Sequence, residues 1–309
     1  MQRVLTTVVI LGLLLASAAA FAITEHLKLI KSPIYDPQVA KVFSPVCHCP
    51  TDKASISFKL RHPDSVTVTI VGSGRNEVDT IATDVGEPKG KLVTFYWDGN
   101  TTNGLATNGS KYQPKVHLAN ARRTILMPNK IEVDTSPPAV VSASTTSGNL
   151  IRGSGHPVVI RYVFPESAYA SVYIDGHRVL LSRQRRKSDE VKWNGKAGGK
   201  LLPAGRYVLD VAAVDRAGNE TPPAERKPVV VVIRDIALGA LPTRVAPGKK
   251  FTVTVRTRAP KYTWRFAGKH GSGKSKQLSL RAPAHRGRYR LVVTENGRAT
   301  TAIVTVGKA

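Results

Sequence analysis

Apolar and polar residues alternate through long stretches of this 309-residue chain. A period of two lays one face of a β-strand against a core and leaves the other face polar. Ile56, Phe58 and Leu60, then Val66, Val68 and Ile70, carry the pattern first, with Lys59, Arg61, Thr67 and Thr69 on the opposite phase. Ile160, Tyr162, Phe164, Ala170, Val172 and Ile174 repeat it at one constant offset. Each set predicts two strands around a Pro63-Asp64 or Pro165-Glu166 turn. A sheet with one apolar face needs a second sheet to cover it, so the pattern predicts β-sandwiches. No sustained helical period occurs outside the N-terminus.

The repetition continues downstream, and a repeat sets the architecture before any single motif is read. The first copy holds Trp97-Asp98-Gly99, Gly104-Leu105, Gly109 and Tyr112; the second holds Trp193-Asn194-Gly195, Gly199-Lys200-Leu201 and Gly205-Arg206-Tyr207. Asn120 follows Tyr112 by the same interval at which Asp215 follows Tyr207, and only the middle of the module differs in length. These residues, with Asp215-Arg216-Ala217-Gly218-Asn219, resemble the immunoglobulin-like domain of the flagellar hook-capping protein, a module of many bacterial surface and secreted proteins. The resemblance covers roughly 35–134 and 139–234. Its carriers are turn and core residues: Trp fills the space between sheets, Asp or Asn tolerates a tight turn, and Gly supplies positive φ. They speak for fold, and fold separates easily from function.

The expected fold class is all-β, with tandem immunoglobulin-like β-sandwiches after an N-terminal hydrophobic helix. Residues 1–24 form a signal peptide or membrane anchor, 25–134 a first domain and 139–234 a second. The linker 135–138 contains Pro137-Pro138, which cannot donate to a ladder. Residues 235–309 hold Phe251-Val253-Val255, Tyr262-Trp264-Phe266, Leu278-Leu280, Tyr289-Leu291-Val293 and Ile303-Val304-Val306, which suggests a third, more divergent sandwich. At the N-terminus, Arg3 precedes an apolar run from Val4 to Ala22, and Ala20-Phe21-Ala22 fits a small-x-small cleavage site. The run is also long enough to span a bilayer if uncut. The chain is therefore expected outside the cytoplasm, either secreted or held at the membrane by its N-terminal helix.

Both cysteines lie in Ser44-Pro45-Val46-Cys47-His48-Cys49-Pro50, before the first repeat strand. In the resembling domains this place usually holds an Asn/Gly/Asp-rich turn. A disulfide between Cys47 and Cys49 is one reading in an oxidising compartment. A soft-metal half-site at Cys47, His48 and Cys49, suited to Cu(I) or Zn(II), is another. Gly268 to Ser275 satisfies the phosphate-loop spacing, but alternating Tyr262, Trp264 and Phe266 precede it and alternating Gln277 to Arg281 follow. That context predicts a glycine-rich hairpin, not the strand-to-helix junction that cradles phosphates. No nucleotide and no cofactor is expected.

Charge carries the remaining information. The formal balance is +25, and residues 235–309 alone hold 16 Lys and Arg against 2 Asp and Glu. Such asymmetry favours polyanionic partners through long-range attraction. For an exported chain these are anionic wall polymers or membrane headgroups, with a protein partner as a further option and nucleic acid disfavoured. Tyr262-Thr263-Trp264-Arg265-Phe266 interleaves aromatic and basic residues, but its strict alternation is what a half-buried strand requires. Candidate polyanion contacts are Lys249, Lys250, Arg256, Arg258, Lys269, Lys274, Arg286 and Arg288. Alternating cations can equally form a solvated sheet face. No zinc-protease helix or nucleophile elbow occurs, and Asp98, Asp134, Asp175 and Asp215 fall where turns favour short acidic side chains, so no catalytic residue is assigned. The sequence reads as a non-enzymatic structural or adhesion protein. Filament capping or assembly, and metal or redox binding through the Cys-His-Cys loop, are the alternatives.

Overall fold

The computed structural model describes residues 10–22, 31–239, 241–274 and 276–308. Residues 10–22 are helical and exposed, and among the described residues no helix is long and apolar enough to cross a membrane. The expected cleavage site ends within this helix, whereas residues 1–9 and 23–24 of the expected signal or anchor lie outside the described residues. The chain divides into two compact units, Met1–Thr135 and Ser136–Ala309.

The first unit runs through β1 (Ile34–Val39), β2 (Val42–Phe43), β3 (Ala54–Leu60), β4 (Asp64–Val71), β5 (Glu77–Glu87), β6 (Leu92–Trp97), β7 (Asn100–Thr101), β8 (Gly104–Leu105), β9 (Lys111–Leu118), β10 (Arg123–Leu126) and β11 (Ile131–Val133). One sheet has the order β1-β3-β6 and the other β2-β11-β9-β4-β5. Their apolar phases meet: Ile56, Phe58 and Leu60 from the first sheet and Val66, Val68 and Ile70 from the second are buried in one core with Phe43, Trp97 and Ile131.

The second unit contains two sandwiches, each with its own core. The first is built from β12 (Ser142–Thr145), β13 (Asn149–Ile151), β14 (Val158–Ile174), β15 (His177–Leu181), β16 (Arg186–Trp193), β17 (Lys196–Ala197), β18 (Lys200–Leu201), β19 (Gly205–Val214) and β20 (Lys227–Arg234). Here the expected pair of strands around Pro165-Glu166 is one continuous strand. β14 pairs with β12 and β16 through its first half, then with β19 and β15 through its second. The ladder with β16 shifts register between Val163 and Ala168, around Pro165, which has no N–H to donate. The strand thus turns a corner and serves both sheets.

The other sandwich of this unit comprises β21 (Ile236–Leu238), β22 (Lys250–Thr257), β23 (Tyr262–Phe266), β24 (Lys269–Gly273), β25 (Gln277–Arg281), β26 (Gly287–Glu295) and β27 (Arg298–Val306). Its sheets have the orders β21-β22-β25 and β24-β23-β26-β27, and a parallel bridge from Val245 to Val306 extends the second. All three sandwiches follow one path. A three-stranded sheet faces a longer sheet whose edge is bordered by a parallel segment near its last strand. This is an immunoglobulin-like topology, and the chain is an all-β array of such sandwiches.

The repeated motifs show why the first two copies match. Trp97 Nε1 donates to the Asn100 carbonyl at 2.8 Å, and Trp193 Nε1 donates to the Lys196 carbonyl at 2.9 Å. In both copies a tiny hairpin follows, β7-β8 or β17-β18. It closes through Ala106 N to Gly99 O or Leu202 N to Gly195 O, both 2.8 Å. Gly99 and Gly195 have φ of 88° and 78°. A Cβ at Gly195 would lie 2.5 Å from Leu150 Cδ2, and one at Gly99 would lie 2.9 Å from Pro45 Cβ, so both conformation and space require glycine. Gly109 donates to the Val133 carbonyl at 2.7 Å, and Tyr112 packs edge-on against Trp97 with ring centroids 4.8 Å apart.

One part of the alignment differs in chemistry. Asp215 is buried and caps its own turn, accepting from Gly218 N at 2.7 Å and from Asn219 N at 2.9 Å. In the first copy Asn120 holds the corresponding position, and a carboxylate from elsewhere does this work. Asp64 accepts from Asn120 N at 2.8 Å and from Ala121 N at 3.0 Å.

Candidate polyanion-contact surface

Strand register decides which cations share a face. On β22 and β25 the apolar phase, Phe251, Val253, Leu278 and Leu280, is buried, which turns Lys250, Thr252, Arg256, Ser279 and Arg281 outward. Lys250 stands directly opposite Arg281 in the ladder, and Thr252 opposite Ser279. Backbone bonds from Gly248 N to Pro283 O (3.1 Å) and from Ala282 N to Lys249 O (2.9 Å) tie the adjoining loops together. Lys249, Lys250 and Arg281 therefore cluster at one end of the sandwich, where the second loop continues to Arg286.

The opposite sheet has its own outer face. Tyr262 and Phe266 of β23 and Leu291 and Val293 of β26 point into the core, leaving Thr263, Arg265, Arg288, Arg290 and Thr294 outside. Arg265 pairs with His270 on one side and Val292 on the other, while Arg290 pairs with Ile303 and Arg288 with Thr305. Arg288 and Arg290, two residues apart on one strand, project about 7 Å from each other.

The two acidic residues of this sandwich lie elsewhere and are already engaged. Asp235 pairs with Arg298 at 2.9 Å and Arg152 at 3.6 Å. Glu295, buried at the end of β26, accepts from the Thr257 hydroxyl. Both outer faces thus present cations and hydroxyls without a carboxylate.

The eight cations singled out from the sequence do not form one surface. Lys249, Lys250 and Arg286 belong to the end cluster, and Arg256 lies six residues along β22 on the same face as Lys250. Arg288 is on the opposite face. Lys269 opens β24, Lys274 follows it, and Arg258 lies in the loop after β22. Alternation sends neighbouring cations to opposite sides, which composition alone does not reveal. Arg265, Arg281, Arg290 and His270, absent from the candidate set, complete the two faces. Their signal was present in the alternating phases of β23, β25 and β26, but only pairing joins them.

The phosphate-like spacing lies in a hairpin. Ala267 and Gly268, with φ of 49° and 77°, form the two-residue turn between β23 and β24, a tight connection that suits strand twist. A Cβ at Gly271 would lie 2.8 Å from Trp264 Cζ2, and one at Gly273 would lie 2.5 Å from Tyr262 Cζ. The glycines are spaced by two because aromatic rings lie over them. Ser275, the last residue of the spacing, is outside the described residues.

In the first unit, Cys47 and Cys49 are joined as a disulfide, with their Cα atoms 5.2 Å apart. His48 between them has φ of 49°, and the turn is closed by Ser44 N to Thr51 O (3.2 Å) and Asp52 N to Cys49 O (3.0 Å). Bonded sulfurs are not thiolates, so the metal reading at Cys47, His48 and Cys49 does not describe this oxidised state. Among the described residues no group of three or more His, Cys, Asp or Glu is placed to hold a metal.

No protein-family model and no curated protein matches the chain. Solved structures do. A Bacteroides ovatus mixed-linkage glucan utilization locus protein, SGBP-B, in complex with a mixed-linkage heptasaccharide is similar at 13% identity, over 90% of this chain and 69% of that one, with a TM-score of 0.32. The FN1–FN3 domains of chicken CNTN1 are similar at 12% identity, over 89% and 99%, with a TM-score of 0.23. Titin domains I67–I69 are similar at 12% identity, over 91% and 100%, with a TM-score of 0.28. Scores this low add nothing to the strand pairing itself, which defines the class: a multi-domain protein of immunoglobulin-like sandwiches.

Proposed function

We propose that this chain is a non-enzymatic, extracytoplasmic spacer or adhesion protein whose C-terminal sandwich contacts an anionic polymer of the cell envelope. The observation that carries this reading is the separation of charge in residues 235–309. Both carboxylates are engaged near one end of the sandwich, while Lys250 and Arg281 face each other with no counter-charge between them. Like charges directly opposite on a sheet are destabilising, and a polyanion laid across the face would offset that cost. The apolar run after Arg3 supports export, and the Cys47–Cys49 disulfide is compatible with an oxidising compartment. Co-sedimentation of the purified chain with anionic wall polymer tests the reading, with a neutral polysaccharide as control. Retention on the anionic polymer that salt reverses is expected. The resemblance to the hook-capping module motivates a second reading, capping or assembly of an extracellular filament. Retention on a protein filament, with none on polymer, would favour it.

A further inference from the structure

Within the second unit a cleft of about 610 Å³ opens where its two sandwiches meet, a size that fits one or two sugar rings. Four cations and two carboxylates line it: Arg152 from one sandwich, Asp235 at the join, and Arg258, Lys261, Glu295 and Arg298 from the other. Asp235 is engaged by Arg152 and Arg298, and one Glu295 oxygen by Thr257. Arg258 and Lys261 make no ion pair among the described residues. Arg258 nevertheless has a defined seat. A Cβ at Gly153 would lie 2.8 Å from its Cδ and 2.9 Å from its Nη1, so the side chain lies against glycine backbone. Ala259 N donates to Thr257 Oγ1 at 3.0 Å, ordering the loop that carries both cations.

We infer that this cleft binds a hydroxylated anion, a single uronate or polyol-phosphate unit of an acidic polymer. Arg258 and Lys261 face the anionic group, and Arg offers the planar donor fork that suits carboxylate or phosphate. Asn296 and the remaining acceptor capacity of Glu295 suit hydroxyls. Among the described residues no aromatic side chain lines the cleft, which disfavours neutral sugars held by stacking and nucleobases. The inference rests on the anionic-polymer reading and adds to it a size-limited contact distinct from the open faces.

The test is calorimetric titration of the full chain with a glucuronate disaccharide, glycerol phosphate and glucose. Three proteins are compared: wild type, Arg258→Gln/Lys261→Gln in the cleft, and Lys250→Gln/Arg281→Gln on the face. One equivalent of the disaccharide or of glycerol phosphate is expected to bind wild type and the face variant alike. The cleft variant should bind at least tenfold more weakly, and glucose should not bind. Whichever anion binds identifies carboxylate or phosphate as the recognised group. Both cleft residues are exposed loop cations, and coincident thermal unfolding of variant and wild type checks that the fold is kept. Equal weakening in the two variants would reduce the cleft to general charge and overturn the inference. Absence of anion binding by wild type, with polymer retention intact, would overturn the cleft alone. Loss of both would overturn the polymer reading as well.

Discussion

Lys250 and Arg281 face each other across adjacent strands on the outer face of the last sandwich. Neither has a carboxylate to pair with there, because Asp235 and Glu295, the only two in residues 235–309, are engaged elsewhere. A sandwich selected for stability alone gains by placing one acid opposite one base. Two opposed cations cost stability and retain a positive field.

This trade-off is measurable. Lys250→Gln/Arg281→Gln should raise the stability of the last sandwich by a few tenths to about 1 kcal/mol. The same change should weaken retention on anionic polymer. Thermal unfolding and co-sedimentation on the same preparations check both, and a loss of stability would show that the pair is packed for support.

The Trp-x-Gly turn should be the structural keystone of the first two sandwiches. Trp193→Ala removes a buried indole and its bond to Lys196, with an expected loss of about 3–5 kcal/mol. Gly195→Ala should cost about 1–3 kcal/mol through its clash with Leu150. Because the two side chains meet, Gly195→Ala/Leu150→Ala should be less damaging than the sum of the single changes. Denaturant unfolding of all four proteins measures the coupling.

The second unit should lose stability in alkali. Burial raises the phenol pKa of Tyr162, Tyr173 and Tyr262 above the ordinary 10.0, and the hydrogen bond to Glu220 raises Tyr173 further. A folded-state pKa above the unfolded value contributes stability that is complete below pH 10 and lost as pH rises through the folded values. Unfolding temperature should therefore fall above pH 10, and less steeply in Tyr173→Phe. An unchanged slope in that variant would remove Tyr173 from the explanation.

The Cys-His-Cys loop gives a redox prediction. The non-reduced protein should show no free thiol on titration, and reduction should release two. Zinc or copper bound after reduction, at one equivalent and lost in Cys47→Ser/Cys49→Ser, would revive the metal site. No uptake would leave the loop as a disulfide-closed turn.

Much of the fold was legible because strand alternation and turn chemistry are local. Ile56, Phe58 and Leu60, the Trp turns and the hairpin under the phosphate-like spacing all read directly. Kinship between the last sandwich and the others was less visible, since it lacks the Trp turn. Yet Gly287-Arg288-Tyr289 repeats the Gly-x-Tyr signal of Gly205-Arg206-Tyr207. Tyr289 and Tyr207 each donate to a carbonyl four residues upstream, His285 at 3.0 Å and Pro203 at 2.8 Å. The contact faces were only half legible, because Lys250 and Arg281 become neighbours through register. The cleft was not legible at all, because Gly153 and Arg258 meet only when two sandwiches are placed together.

Contact between the last sandwich and an anionic polymer is measured by equilibrium binding of the full chain to purified anionic wall polymer across a salt series. Affinity should fall steeply with salt, with a shallower slope once Lys250, Arg281, Arg288 and Arg290 are replaced by Gln. Binding that is insensitive to salt, or to those four replacements, would contradict that contact.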